Sequence, residues 1–192
     1  EVRVIYDQGL CMLRLASSSE TRAMLLREAG IEFLQESVDF DEDKIVANSP
    51  KNFVYQATLG KYEANLKAFG YEDYPILVAD TVVTSQGQIL RKARCRDDAR
   101  NILMTQSGNI TSIITCMIFQ SPEQKIIDIS STDYIFDNFD LDDLDRYLEG
   151  NDWRGKAGAC MVEGFCKEYI KEVRGDESTA MGLHVEILKR FM

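Results

Sequence analysis

Pro75-Ile76-Leu77-Val78-Ala79-Asp80-Thr81-Val82-Val83 is the stretch on which the reading of this chain turns. It is a nearly continuous apolar run, as a strand buried on both faces would be. One carboxylate, Asp80, interrupts it. A carboxylate inside an apolar strand is costly unless it is paired, coordinates a metal or works as a base. The bland alternative is a strand end with Asp80 turned to solvent or capping a loop.

Downstream, Gly87 marks a hairpin turn into Gln88-Ile89-Leu90. Asp97 is expected to cap a helix carrying Ala99, Ile102, Leu103 and Met104 that stops near Gly108. Thr111 to Phe119 and Lys125 to Phe136 read as long strands joined through Ser121-Pro122-Glu123. Asp140 caps a short acidic helix ending at Gly150. The glycine-rich Gly155-Lys156-Ala157-Gly158 precedes a strand from Tyr169 to Val173, and a last helix starts near Gly182.

Upstream, Leu13 to Ser17 reads as a short strand. The serine run Ser17-Ser18-Ser19 opens a helix from Glu20 to Ala29, with Gly30 as its stop. Glu32 to Val38 alternates as a second strand, followed by acidic Asp39-Phe40-Asp41-Glu42-Asp43. Ser49-Pro50 starts a long helix that Gly70 ends. Strands and helices alternate in the first half and strands pair in the middle, which is an α/β fold with a mixed sheet. There is no internal repeat and no linker, so one unit is expected.

Composition narrows the function classes. With 192 residues, 45% apolar and 28% charged, the sequence is that of a globular protein. It contains no apolar run long enough for a transmembrane helix. Residues 1–11 do not read as a signal peptide. Met12 directly precedes the first strand, so 1–11 are expected to be an extension and 12–192 a single domain. The formal charge of −10 disfavours long nucleic acid as a partner but not a small anion held in a basic cleft. Five cysteines, with no C-x-x-C pair, argue for reduced thiols rather than a disulfide scaffold or a zinc site.

Several residues could carry chemistry. A helix start at Ser17-Ser18-Ser19 with Arg22 offers free N–H groups and a guanidinium fork to phosphate, though serines capping a helix beside a surface arginine read the same way. Lys61, Lys92 and Lys156 lie near glycines or strand ends, where a solvated surface lysine is the ordinary reading. The run Asp39 to Asp43 could hold a divalent cation or be a solvated loop. The single histidine, His184, has no nucleophile motif around it, which argues against a Ser-His or Cys-His hydrolase.

These signals occur together in a recognisable order. Leu15-Ala16-Ser17-Ser18-Ser19-Glu20-Thr21-Arg22 with Leu25-Leu26 resembles the opening motif of the Maf family, once described as septum-formation inhibitors. Asp41-Glu42 falls at its acidic pair, Lys61 at the lysine of its second helix, and Ala79-Asp80-Thr81-Val82-Val83 is similar to its Ala-Asp-Thr-Val-Val. Leu90-Arg91-Lys92-Ala93, Ser107-Gly108 with Thr115, Lys156-Ala157-Gly158-Ala159 and Met181-Gly182-Leu183 match later blocks. The likeness runs from Met12 to the C-terminus.

The resemblance implies an elongated α/β structure with a mixed central sheet, flanking helices and a nucleotide cleft between two lobes, similar to inosine triphosphate pyrophosphatases. It implies hydrolysis of a nucleoside triphosphate, non-standard or pyrimidine, to monophosphate and pyrophosphate in a cytoplasmic protein. Mg²⁺ or Mn²⁺ would assist, and a homodimer is expected by analogy. By the same resemblance Ser17, Ser19, Arg22, Lys61 and Lys92 surround the phosphates. Asp80 activates water, and Glu42 with Asp80 supports the metal.

Thr21, Thr81 and Glu163 fall where the family sets base selectivity, and this trio matches neither its dTTP-preferring nor its 7-methylguanosine-preferring members. Glu163, with acceptor oxygens only, is expected to favour a donor-rich ring edge such as that of guanine. Departures from the family pattern at Glu20, Thr21, Arg91, Ala93 and His184 motivate an alternative, a non-catalytic nucleotide-binding or division-regulating protein of the same fold.

Overall fold

A strand of three buried residues, Leu13-Arg14-Leu15, lies inside the sheet, one strand from its edge. Strand β1, Leu13–Leu15, is buried throughout and pairs in parallel with β2, Phe33–Gln35, on one side and β3, Ile76–Ser85, on the other. The computed structural model describes residues 12–160 and 164–192, so residues 1–11 and Glu163 lie outside the described residues.

Between β1 and β2 runs α1, Glu20–Glu28, whose N-cap Ser19 accepts from the Arg22 N–H as the serine run suggested. Helix α2, Pro50–Phe69, starts at the Ser49 cap and ends at Gly70, as expected. Strand β3 turns through Gln86-Gly87, both at positive φ, into β4, Gln88–Ile89. Helix α3, Arg96–Gln106, is capped by Cys95 rather than Asp97. Helical geometry begins two residues earlier than Asp97 as a cap implies, which leaves Asp97 and Asp98 in the first turn, where the helix dipole favours them.

Strands β5, Ile110–Gln120, and β6, Lys125–Phe136, form the long hairpin. Asp140 caps α4, Leu141–Glu149, and β7, Ile170–Arg174, closes the sheet. The last helix expected near Gly182 is α6, Val185–Lys189, and a further short helix not foreseen from the sequence, α5, Glu177–Ala180, precedes it. Gly182, at φ +107°, divides them.

The seven-stranded sheet runs β2-β1-β3-β5-β6-β7, with β4 also on β3. It is parallel around β1 and antiparallel elsewhere, the mixed α/β architecture the sequence pointed to. Helices flank both faces. Ile76 and Val78 pack with Tyr62 of α2, whereas Leu77 and Ala79 pack with Leu25, Leu26, Leu183 and Leu188 on the opposite face. A third cluster, centred on Phe136, Leu144, Leu148 and Trp153, fills the far end between α3 and α4.

Two consequences follow for the middle of β3. Alternation places Asp80 on the α2 face and Thr81 on the α1 face. Strand β1 pairs β3 only at Ile76 and Leu77, and β4 only at Thr84 and Ser85. Between them, among the described residues, no strand covers this edge of β3. A crevice therefore opens beyond the carboxyl end of β1, as it does at switch points of α/β sheets.

Cysteine pairing departs from the expectation of reduced thiols. Cys160 and Cys166 are joined as a disulfide, with Cα atoms 6.2 Å apart. The spacing of the two residues in sequence gave no sign of that pairing. Cys95 is exposed and Cys116 buried, and burial pushes the Cys116 thiol up to about 11.

Candidate active site

Lys61 of α2 joins two carboxylates from different parts of the chain. Its Nζ lies 2.7 Å from Asp80 Oδ1 and 2.6 Å from Glu42 Oε1. The buried face of α2, Val54, Ala57, Thr58 and Tyr62, fixes the helix against β3 and β5, so Lys61 reaches the exposed edge where Asp80 stands. Burial by itself would depress the Lys61 ammonium. Asp80, and secondarily Glu42, outweigh it, so the group sits above its ordinary value.

Glu42 arrives by a different route. It begins a single 3₁₀ turn, Glu42–Lys44, capped by Asp41, whose carboxylate accepts from the Asp43 N–H at 3.1 Å. Phe40 anchors the turn by lying on Gly60, where an added Cβ would overlap the ring. Gly60→Ala should therefore push Phe40 and Glu42 away from Lys61. We expect a stability loss of about 1–3 kcal/mol from overpacking, with a fall in turnover, measured by denaturant titration and steady-state kinetics. Unchanged values for both would contradict the anchoring.

On the α1 face, Arg22 is held by neutral oxygens. Its Nε donates to the Gly182 carbonyl at 2.8 Å, Nη1 to Ser17 Oγ at 3.1 Å and Nη2 to Thr81 Oγ1 at 3.0 Å. Gly182 allows this approach, since a Cβ there would stand 3.3 Å from both Arg22 Nε and Thr81 Oγ1. Burial pulls the guanidinium below its ordinary value, opposed by the Asp80 charge. Among the described residues Arg22 makes no ion pair, so its charge is available to an anion. Ser17 is buried and its Oγ accepts from the Ser19 N–H at 3.2 Å, which tightens the turn.

Ser17, Ser18, Ser19, Arg22, Glu42 and Lys61 line one polar cavity of about 290 Å³. Asp80, Thr81, Arg91 and Lys92 line a second, of about 360 Å³, and Glu42 borders both. Lys92 is exposed on a loop that forms a bridge with Ala157. Gly158 lets that loop close on β3, because a Cβ would stand 3.2 Å from Val83 Cγ1. The structure thus places Ser17, Ser19, Arg22, Glu42, Lys61, Asp80, Thr81 and Lys92 around two cavities that share Glu42.

Other candidates lie elsewhere. Thr21 is exposed on α1 and lines neither cavity, and Lys156 is exposed likewise, with only its neighbour Ala157 at the crevice. His184 tethers α6 to the sheet. Its Nδ1 is 2.8 Å from Ser130 Oγ and 3.1 Å from Asp128, and its Nε2 3.0 Å from Asp176.

The sequence reading missed the residues that brace the site. Gln35 Nε2 donates to the Ser17 carbonyl at 2.9 Å, and Asn65 Oδ1 accepts from the Val38 N–H at 2.9 Å. Fully buried Gln106 donates to the Gly158 carbonyl at 2.6 Å. These contacts span distant parts of the chain, and no local pattern announces them.

Known proteins resemble this chain over nearly its whole length. The family model described as Maf-like protein matches residues 12–192. A nucleoside triphosphate pyrophosphatase of Nitratiruptor sp. is 57% identical, covering 92% of this chain and 96% of its own. Proteins of the same description from Campylobacter jejuni strain 81-176 and Helicobacter pylori strain J99 are each 37% identical. They cover 94% and 91% of this chain, and 100% and 91% of their own. A match of that extent makes this protein a member of the Maf family.

Proposed function

We propose that the chain hydrolyses nucleoside triphosphates to the nucleoside monophosphate and pyrophosphate. The observation that carries this reading is the Glu42–Lys61–Asp80 contact at a crevice that also holds the half-buried cation Arg22. The relatives named nucleoside triphosphate pyrophosphatase support it.

Asp80 Oδ1 is taken by Lys61, and among the described residues Oδ2 accepts no hydrogen bond. Oδ2 is then free to receive a proton from water. As the water oxygen bonds to the α-phosphorus, the bridging P–O bond breaks and its electron pair leaves with pyrophosphate. Lys61, Lys92 and Arg22 stabilise the charge that develops on the phosphate oxygens. The Ser17–Ser19 turn orients the phosphates through hydroxyl and N–H groups.

A divalent cation, Mg²⁺ or Mn²⁺, fits the donors present. Glu42 and Asp80 already converge on one cation, the Lys61 ammonium, and two carboxylates completed by substrate phosphates suit such an ion. Among the described residues no larger cluster of acidic, His or Cys side chains could hold a metal by itself. When bound, the ion would neutralise phosphate charge and polarise the phosphoryl oxygens.

The test is a panel of purine, pyrimidine and modified nucleoside triphosphates, with Mg²⁺, Mn²⁺ or chelator, assayed for pyrophosphate against orthophosphate. Pyrophosphate is expected. No product from any nucleotide would overturn the reading in favour of a binding protein, and orthophosphate would indicate a phosphatase. The departures at Glu20 and Thr21 are exposed and line neither cavity, and Arg91 adds a cation beside Lys92 in the cavity of Asp80, which supports the enzyme over the binding protein. Family likeness supports a cytoplasmic homodimer with a link to septum formation. No helix among the described residues is long and apolar enough to cross a membrane.

A further inference from the structure

Thr115 touches none of the groups assigned to the reaction, yet the hydrogen bonds through it have only one possible direction. Its hydroxyl is buried on β5, 2.7 Å from the Thr179 carbonyl and 2.9 Å from the Thr81 hydroxyl. A carbonyl can only accept, and a hydroxyl has one proton to give. Thr115 therefore donates to Thr179, and Thr81 must donate to Thr115. The Thr81 oxygen in turn accepts from Arg22 Nη2 at 3.0 Å.

A one-way relay results, from the guanidinium through Thr81 and Thr115 to a backbone carbonyl. Both anchors of the Arg22 arrangement rest on one segment of chain, since Arg22 Nε donates to Gly182 and the relay ends on Thr179. Three of the five guanidinium N–H bonds are used, all on uncharged oxygens. The remaining donors and the full positive charge stay available to the substrate.

We propose that Thr115 is a positioning residue: it fixes the Thr81 hydroxyl, and through it the plane of the Arg22 guanidinium that meets the anionic part of the substrate. The proposal rests on the nucleotide-hydrolase reading for the identity of that substrate. It also changes the role of Thr81. With its proton committed to Thr115, Thr81 can accept from a nucleobase but has no proton to donate to one.

The experiment uses the full chain with Thr115→Val, Thr115→Ser and Thr81→Val. Ser85→Ala serves as control, because it removes another buried sheet hydroxyl, bonded to the Thr105 and Ile110 carbonyls and without a contact to Arg22 or its partners. Inorganic pyrophosphate binding is measured by calorimetry, KM and kcat on the best nucleotide, and folding by thermal melting. A slack guanidinium should weaken pyrophosphate binding and raise KM roughly tenfold in Thr115→Val, with kcat much less affected. Thr115→Ser should return both to within about threefold, and Ser85→Ala should match wild type. Thr81→Val, cut at the half-buried end of the relay, should show the same signature even if Thr115→Val does not fold. The double Thr81→Val/Thr115→Val variant should be no worse than either single one.

Wild-type affinity and KM in Thr81→Val, or serine failing to rescue, would overturn the proposal. A chain that binds pyrophosphate but hydrolyses no nucleotide would remove the proposed function while the affinity series still decides the relay. A chain that releases pyrophosphate from nucleotides without binding it measurably would keep the proposed function, and the KM series would then decide the relay.

Discussion

Asp80→Asn is expected to lower kcat by about 10²–10⁴-fold, the usual contribution of a positioned general base, while nucleotide binding survives. The amide has nearly the shape of the carboxylate and can still accept from Lys61, so the crevice keeps its form. It cannot take a proton from water. The variant also removes one negative charge from a site meant for a polyanion, which should hold the nucleotide at least as tightly as wild type. Single-turnover kinetics together with direct nucleotide binding separates the two effects. A variant that retains full kcat would show that water is activated elsewhere, and the proposed mechanism would fall with it.

The placement of Asp80 shows how much a sequence can disclose. One carboxylate in an otherwise apolar strand signalled both a central strand and a functional group, and the structure bears out the strand over Ile76–Ser85. Capping chemistry fixed α1, α2 and α4 for local reasons, since Ser19, Ser49 and Asp140 each accept from N–H groups two or three residues on. Such signals are contained in a few neighbouring residues. Cys95 offered no side-chain cap, so α3 was read as starting late, and α5, with four residues, has too little periodicity to register.

The site was legible in part for the same reason. Motif blocks named Ser17, Arg22, Lys61, Asp80 and Lys92, but not which sheet face each would occupy. Strand alternation turns neighbouring Asp80 and Thr81 to opposite faces, where they meet Lys61 and Arg22 respectively. Thr21 shows the converse. Helix periodicity turns it to solvent while the next residue, Arg22, enters the crevice. Braces such as Gln106 to Gly158, 52 residues apart, belong only to the folded chain.

Lys61→Met should reduce kcat/KM by about 10²–10³-fold, the scale on which removing one preorganised charge-stabilising donor acts. Its loss is worse than the absence of one donor. Glu42 and Asp80 would then face a triphosphate with no cation between them, and two like charges beside a polyanion repel it. Lys61→Arg is not expected to restore activity. The compact ammonium meets two carboxylates from separate elements at 2.6 and 2.7 Å, a geometry that a planar fork does not reproduce. The same contact has a signature in stability. The folded state raises Lys61 above its ordinary value of 10.5, so folding binds that proton more tightly than the unfolded chain does. The resulting stabilisation is complete below the unfolded value and is lost as pH rises through the folded one. The unfolding free-energy difference between wild type and Lys61→Met should therefore be level from neutrality to about pH 10 and shrink beyond it. Denaturant titrations of both proteins across that range measure this directly. A difference that stays level well above the ordinary lysine range, in a protein still folded there, would mean that the ammonium is not what joins Glu42 to Asp80.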